Sequence, residues 1–484
     1  MSVFTLAEIV DVTGGKLLQF DGEASPAEYK VNGVCTDTRV LEKGNLFLAL
    51  IGEKYDGHDF AVRAATDGAS AFVASSMEKM PKDKPVVLVE DTKIALEKLA
   101  EYYRKRLGCK VVAVTGSVGK TSTREMIAST LRKGLRTHVT KDNMNNEIGL
   151  SLTILQAPED SEVLVLEMGM RLRGEISELT HIAHPDVAVI TTIGVAHIER
   201  LGSQEEILAA KLEIQEALCE GGLLIIPYHD KMLAKAVREG MIRDDVRIGY
   251  TSCEKDDADI LSGAFGMAVS SPVSVADERL CFDVLAGFEE KRTSHVKLKA
   301  IGFHHVGNAL TAFLCGLYLG LSPETITQGI ESFEQIGHRE KLVDVEGVHF
   351  LDDAYNAGPE SMKSAFTSIR RLAGEEKAYA CIADMLELGD VSAKEHFGIG
   401  VKAAEEKLDG VFVMGDYQES VREGVLSLTD EVPVYGFSNK KAMAEKLATI
   451  VKPGDYVLLK ASHSFEMHLI LNEYGSVVRG GDEP

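Results

Sequence analysis

Cysteine is sparse in this chain of 484 residues: there are seven, at positions 35, 109, 219, 253, 281, 315 and 381, never closer together than 28 residues. That spacing leaves no CxxC unit to hold a metal or exchange a disulfide and argues against a disulfide framework, so a reducing cytoplasm is the expected setting. Basic residues are also in short supply. The 52 Lys+Arg stand against 75 Asp+Glu, a formal charge of −23. Nonspecific association with nucleic acid or an anionic membrane surface is therefore disfavoured, and an anionic ligand has to be held by a local positive site. Long apolar runs are missing too: the longest, Ala309 to Leu321, is well short of the roughly 20 residues of a membrane-spanning helix. The opening MSVFTLAEIVDVTGG carries Glu8 and Asp11 and no basic stretch, so neither a secretory leader nor membrane insertion is expected. With no low-complexity tract, fixed-period repeat or Pro/Ser-rich linker, the domain organisation has to be read from the rhythm of strands and helices.

At roughly 150 residues a domain the length suggests three domains. Over residues 1–85, short apolar stretches such as NLFLALIG and SAFVAS alternate with amphipathic pieces, the pattern of a small α/β unit. A second unit, 86–336, opens with KVVAVT, a Gly-rich turn and the helical STREMIASTLRKGL. In it VLVL runs into Glu167 and VAVITTIG runs toward His197. Val/Ile/Leu-rich runs alternating with helices predict a doubly wound, mostly parallel sheet covered on both faces. An antiparallel extension is expected over 245–300. Over 337–484 the rhythm restarts: VHFL ends at Asp352, AYACIA at Asp384, VFVMG at Asp416 and YVLL at Lys460. Polar residues closing apolar strands fit the ligand crevice of a further, Rossmann-like α/β domain.

The sharpest chemical signal is Thr115-Gly116-Ser117-Val118-Gly119-Lys120-Thr121, set between an apolar strand and a helix. Glycine lets backbone N–H groups approach a phosphate, the helix N-terminus adds partial positive charge, Lys120 neutralises the β and γ phosphates, and the Thr121 hydroxyl can ligate Mg²⁺. Valine stands at 114, where the full Walker pattern has glycine, so this is a shortened P-loop. Glu167 and His197, at or beyond strand ends, either complete a metal shell or serve as loop residues and helix caps. In SQEEILAAKLEIQEALCEGG, which opens with a Ser203 and Glu206 capping box, Lys211 shares an i, i+4, i+7, i+11 stripe with Ile207, Ile214 and Leu218. It is either a snorkelling lysine or one held in a partly desolvated crevice.

Together with TDTRVLEKGNLFLAL, YDGHDF, NMNNEIGLSLTIL, EMGMRLRGEI, IGVAHIERLGS, GFHHVGNAL, LDDAYNAGPESM and IADMLELGD, these segments lie in one order along almost the whole chain. In that order the chain resembles the Mur ligases, ATP-dependent amino-acid ligases of peptidoglycan precursor synthesis. The absence of DNPR, and Tyr355-Asn356-Ala357-Gly358-Pro359 in the third unit, make it similar to members that join D-alanyl-D-alanine to a UDP-N-acetylmuramoyl-tripeptide. The resemblance implies that Thr36, Asp37, Thr38 and Arg39 help hold the uridine diphosphate end, and that Asn145 and Asn146 lie near the muramyl peptide. It places ATP against Thr115 to Thr121, with His304, Asn308, Arg339, Asp353 and Asn356 around the nucleotide. Thr121, Glu167 and His197 become Mg²⁺ ligands, and Lys211 becomes a lysine carbamylated by CO₂ that helps organise the metal. Lys120, Lys211, Glu167 and His197 are then the catalytic group, in a chain expected to work as a monomer. The chain departs from the family pattern at Thr192, His305, Gly358 and His463. Another Mur-type or folylpolyglutamate-like ligase and a regulatory nucleotide-binding paralogue are the competing readings; a GTPase is disfavoured because no NKxD motif occurs.

Overall fold

The computed structural model describes residues 2–20, 25–277, 279–335 and 337–480. Three sheets organise it. The N-terminal sheet has five strands in the spatial order Lys16–Leu18, Val86–Leu88, Ala71–Ala74, Leu46–Leu48 and Val34–Cys35; the first pair is antiparallel and the rest are parallel. Its last strand in sequence, Val86–Leu88, falls just past residue 85. A separate antiparallel pair, Val3–Thr5 with Lys30–Asn32, leads into the helix Leu6–Thr13, where Thr5 and Glu8 form a reciprocal capping box.

The helix Thr92–Leu107 connects this unit to the next. Asp91 accepts hydrogen bonds from the backbone N–H groups of Lys93 and Ile94 at one end, and Gly108, at φ +62°, terminates the other. Its Ala95, Leu96, Leu99, Ala100 and Tyr103 are buried, the stripe a helix needs to pack between two units.

The central sheet has ten strands. Six successive pairings, from Gly266–Ser270 through Arg247–Ser252, Leu223–Pro227, Val187–Ile190, Lys110–Thr115 and Val163–Glu167 to Thr137–Val139, are all parallel. The strand Lys110–Thr115 shows why the sequence reads as one apolar run: Val111 and Ala113 pack into the core on one face, Val112 and Val114 into that on the other. The antiparallel extension starts later than the expected residue 245, with Ser274–Ala276, Arg279–Gly287 and Lys291–Leu298. Short helical turns over Asp257–Gly263 carry the chain across to keep Arg247–Ser252 and Gly266–Ser270 parallel, whereas only three residues join Arg279–Gly287 to Lys291–Leu298, too few for a parallel crossover.

The third sheet runs Lys341–Val345, Val348–Asp352, Tyr456–Lys460, Ala378–Ala383, Gly410–Met414 and Val434–Phe437, parallel except for its opening hairpin. The polar residues expected at the ends of its strands stand there, but Asp384 is spent locally, accepting hydrogen bonds from the backbone of Asp416 and Tyr417. The result is a three-domain α/β architecture with two nucleotide-type sheets whose carboxyl ends are the places where ligands bind in such folds. Among the described residues no helix is long and apolar enough to cross a membrane.

Candidate active site

The P-loop bridges the strand Lys110–Thr115 and the helix Lys120–Leu131. Gly116 has φ +145°, and a Cβ there would lie 1.9 Å from Thr191 Oγ1, so only glycine fits. Residues leaving the neighbouring strand hold the loop in place. The Ser117 N–H donates to the Thr192 carbonyl at 2.9 Å, the Gly194 N–H donates to Ser117 Oγ at 2.9 Å, and the Thr191 hydroxyl donates to the Val118 carbonyl at 2.5 Å. The first N–H groups of a helix have no partner within it, so the loop and helix start form a cradle of donors. Lys120 folds back across it, donating to the Gly116 carbonyl at 2.8 Å. Burial pushes its ammonium below the usual lysine range; Glu167 opposes the shift and Arg339 adds to it.

Glu167 ends the next strand and is 2 % exposed. Its two oxygens accept from different partners, Oε2 from Arg124 Nη1 at 3.0 Å and Oε1 from Asn145 Nδ2 at 2.9 Å. Arg124, fully buried, also donates to the Asp142 carbonyl at 2.9 Å, so the carboxylate is oriented by one helix and by the loop that carries both Asp142 and Asn145. Asn146 caps the helix Glu147–Leu155 by accepting from the Gly149 N–H at 2.9 Å; its neighbour Asn145 is the one turned to Glu167.

His197 has φ +65° and immediately precedes the short helix Ile198–Leu201. Its Nδ1 is 2.5 Å from Glu387 Oε2 of the C-terminal domain. Burial holds the imidazole below its ordinary range, with Glu387 opposing and the charges of Lys120 and Lys211 reinforcing. Lys211 is itself 2 % exposed, which rules out the snorkelling alternative. Its ammonium is driven well below the usual lysine range by burial and then by Lys120, and among the described residues no carboxylate or carbonyl pairs with it. The helix bearing it, Gln204–Leu212, is shorter than expected and tightens into a 3₁₀ turn at Glu213–Gln215. There the Glu213 carboxylate accepts from the backbone N–H groups of Gly174 and Ser177. Ser203 keeps its cap, but Glu206 pairs with Arg173 instead of closing the capping box.

Across the P-loop, Asn308 accepts from the Thr123 hydroxyl at 2.9 Å and lies 3.3 Å from His305 Nδ1. His305, 1 % exposed, sets its Nε2 3.0 Å from Glu340 Oε2. Burial alone would raise the Glu340 carboxyl, but His304, His305 and Lys460 more than offset it and hold it well below the usual carboxylate range. His304, His305 and Glu340 place donor atoms within 4.8 Å of one another, a spacing compatible with a metal ion. They sit at the positive start of the helix His304–Tyr318 with Lys460 and Arg371 nearby, surroundings that oppose a further cation. From the C-terminal domain, Arg339 donates to Thr121 Oγ1 at 3.2 Å and stacks 4.0 Å over the Tyr355 ring. Lys460 pairs with Asp353 at 2.5 Å and donates to the Asn356 carbonyl at 3.0 Å.

These groups converge on one cavity of about 1010 Å³, lined from all three domains by residues including Glu53, Lys120, Glu167, Arg171, His304 and Lys460. The P-loop residues Ser117 to Thr121, Asn145, Asn146, His197, Asn308, Arg339, Asp353 and Asn356 also face it. Three expected groups are not brought there. Thr115 and Gly116 precede the part of the P-loop that lines it, and the buried Thr115 hydroxyl donates to the Met168 carbonyl at 2.9 Å. Thr36 to Arg39 lie elsewhere in the N-terminal domain, where the exposed Arg39 pairs with Asp37 at 2.5 Å. Lys211 is buried and does not line the cavity; the Lys120 charge bears on it, and its own charge bears on His197. Sequence reading missed Arg124, Arg171, Glu340 and Glu387. Arg124 left a weak trace, an arginine inside the helical stretch directly after the P-loop; Arg171 and Glu387 lie within the segments EMGMRLRGEI and IADMLELGD without standing out there, and Glu340 gave no signal beyond following Arg339.

Family models match three consecutive stretches: residues 30–114 fit the Mur ligase family catalytic domain, 114–316 the Mur ligase middle domain, and 338–463 the Mur ligase glutamate ligase domain. The UDP-N-acetylmuramoyl-tripeptide–D-alanyl-D-alanine ligase of Bacillus subtilis (strain 168) is 37% identical over 445 residues, 92% of this chain and 93% of that protein. The enzyme of the same name from Escherichia coli (strain K12) is 29% identical, covering 96% and 97%. A crystal structure of MurF from Acinetobacter baumannii superposes with a TM-score of 0.86 at 27% identity over 98% of this chain and 99% of that one. MurF ligase from Thermotoga maritima in complex with ADP superposes with a TM-score of 0.78 at 28% identity over 93% and 99%. On these matches, spread over all three domains, the chain belongs to the Mur ligase family.

Proposed function

We propose that the protein joins D-alanyl-D-alanine to the terminal carboxylate of a UDP-N-acetylmuramoyl-tripeptide at the expense of ATP, in peptidoglycan precursor synthesis. The observation that carries this reading is the single cavity into which the P-loop, the Glu167–Asn145 pair and the C-terminal Arg339 and Lys460 all point. In the proposed division of labour, residues 1–85, with Thr36 to Arg39, hold the uridine diphosphate end. Residues 86–336 hold ATP, and residues 337–484 close over it. All of these groups come from one chain, which supports a monomeric working unit, and seven free cysteines support a reducing, cytoplasmic setting.

The chemistry follows from charge. A tripeptide carboxylate oxygen attacks the γ-phosphorus, the bond to the bridging oxygen breaks, and ADP leaves, giving an acyl phosphate. The dipeptide amine then attacks the acyl carbon, phosphate departs with the C–O electron pair, and the amine loses a proton to solvent. The backbone donors of Val118 to Thr121 and the Lys120 ammonium bind the phosphates and offset the charge on the migrating group. Domain closure aligns the carboxylate with phosphorus and excludes water from the acyl phosphate.

The hydroxyl, carboxylate and imidazole of Thr121, Glu167 and His197 are suitable donors for Mg²⁺, and all three face the cavity. Bound there, the ion would supply charge neutralisation to the phosphates. Carbamylation fits Lys211 on physical grounds. Burial without an anionic partner favours the neutral amine, which is the form that attacks CO₂; after loss of a proton the product is an anion, which Lys120 attracts instead of repelling.

The test is phosphate release against a panel of UDP-muramyl peptides and amines. D-alanyl-D-alanine with the UDP-tripeptide should stimulate release far above L-lysine or meso-diaminopimelate with the UDP-dipeptide. The reverse ranking would assign the chain to tripeptide synthesis, and release that needs neither acceptor nor amine would make it a regulatory ATPase.

A further inference from the structure

The cavity is acidic: Glu53, Glu147, Glu167, Glu175, Glu340, Asp353 and Glu360 line it, against the four cations Lys120, Arg171, Arg339 and Lys460. A peptide substrate that carries free carboxylates into such a space needs a cation that is not already committed. Three of the four are committed: Lys120 lies on the Gly116 carbonyl, Arg339 spans Thr121 and the Tyr355 ring, and Lys460 pairs with Asp353. The Arg171 guanidinium makes no hydrogen bond or ion pair among the described residues, although its neighbour Arg173 pairs with both Glu206 and Glu213.

The segment carrying Arg171 is held rigidly through its backbone. The Gly169 N–H donates to the Asn145 carbonyl at 2.8 Å, the Arg171 and Leu172 N–H groups donate to Glu175 Oε2 at 2.5 and 3.3 Å, and the Gly174 N–H donates to Glu213 Oε1 at 2.9 Å. Two carboxylates thus fix the loop without touching the guanidinium, and the loop's start at Gly169 is tied to Asn145, the residue that hydrogen-bonds Glu167. A fixed backbone with an uncommitted planar donor pair at the cavity wall is the arrangement that binds a carboxylate in two-pronged fashion.

We infer that Arg171 binds a non-reacting carboxylate of the peptide substrates, either the C-terminal carboxylate of the acceptor dipeptide or a free carboxylate of the nucleotide-linked peptide. The inference rests on the ligase function proposed above. Arg171 thereby selects substrates by charge while Lys120 and its neighbours handle phosphate.

Arg171→Gln and Arg171→Lys separate the possibilities in steady-state phosphate release, with each substrate varied in turn and D-alanyl-D-alaninamide as a second acceptor. Loss of a charged hydrogen-bond pair should raise KM for one peptide substrate by about tenfold or more, with the ATP KM within about twofold of wild type and partial recovery in the lysine variant. If the dipeptide supplies the carboxylate, wild type discriminates against the amide and Arg171→Gln does not; if the nucleotide-linked peptide supplies it, only that KM rises. Unchanged KM values for both peptides, or a fall in kcat alone, would overturn the assignment. A wild-type enzyme that D-alanyl-D-alanine fails to stimulate would refute the ligase reading itself, and with it the substrate class assigned to Arg171.

Discussion

Gly116→Ala tests whether the P-loop is as tightly specified as its geometry indicates. The new methyl carbon would lie 1.9 Å from Thr191 Oγ1 on a backbone at φ +145°, a region that L-residues rarely adopt. Relief requires Thr191 to turn away, which surrenders its 2.5 Å hydrogen bond to the Val118 carbonyl. Backbone strain of about 1–3 kcal/mol, overpacking of about 1–3 kcal/mol and a lost hydrogen bond of about 1 kcal/mol together put the loss at about 3–7 kcal/mol. That is a large part of the roughly 5–15 kcal/mol that holds a typical domain folded. The chain has no tryptophan, so urea unfolding is followed by far-UV circular dichroism, and the transition belonging to the central domain is the one that MgATP shifts upward. Adding Thr191→Ala removes the clashing oxygen and leaves the neighbouring Cβ at 3.0 Å; the double variant should recover about 1–3 kcal/mol relative to additivity. A Gly116→Ala protein within about 1 kcal/mol of wild type, or strict additivity with Thr191→Ala, would show that the loop relaxes freely and that the steric argument is wrong.

Lys120→Ala should fold normally and lose about 10²–10³ in ligation rate at saturating MgATP, measured as ADP release; near wild-type turnover would remove Lys120 from the phosphate site. Lys211→Met should abolish ligation, yet in CO₂-depleted buffer be more stable than wild type. Because the folded lysine binds its proton more weakly than the unfolded one, wild-type stability rises with pH, so the advantage of the variant should be largest near pH 7 and shrink toward pH 10 in urea melts. Glu97 shares a tight cluster with Lys93 and Glu178, and its carboxyl is pushed from 4.5 up to about 7, by burial first and then by Glu178. A raised carboxyl costs stability only once the unfolded group ionises. Glu97→Gln should therefore match wild type below the ordinary value of 4.5 and gain steadily in thermal midpoint up to about pH 7; a gain that is flat across this range would refute the shift.

The fold was most legible where one strand carries its own evidence. In Lys110–Thr115 both faces are buried, and an unbroken apolar run followed by a Gly-rich turn has few other structural solutions. The same logic found the four strands of the third sheet ending at Asp352, Asp384, Asp416 and Lys460. It failed over 245–300, because strand direction is set by the connection. The turns over Asp257–Gly263 and the three-residue link after Gly287 differ in what they span more than in composition. It also overextended the helix of Lys211, since the pull of the Gly174 and Ser177 backbone on Glu213 comes from residues more than thirty positions away.

The site divides along the same line. Lys120 and Thr121 are fixed by residues adjacent in sequence, so the motif alone locates them. Glu167 is oriented by Arg124 and Asn145, 43 and 22 residues away, and His197 meets Glu387 across 190 residues. A carboxylate at the end of a strand looks the same in sequence whether it faces solvent, an arginine or a catalytic imidazole. Lys211 is the instructive intermediate. The apolar stripe marked it as unusual without saying whether it reached solvent; packing leaves it 2 % exposed, and Lys120, 91 positions earlier in the chain, adds to the effect of burial on its ammonium. A buried lysine is costly without an anion to offset it; Lys120 has the Glu167 charge and the Gly116 carbonyl, whereas Lys211 has neither and feels Lys120 as well. That contrast supports the proposed carbamylation, which would make Lys211 an anion, and neither the stripe nor the P-loop motif supports it alone.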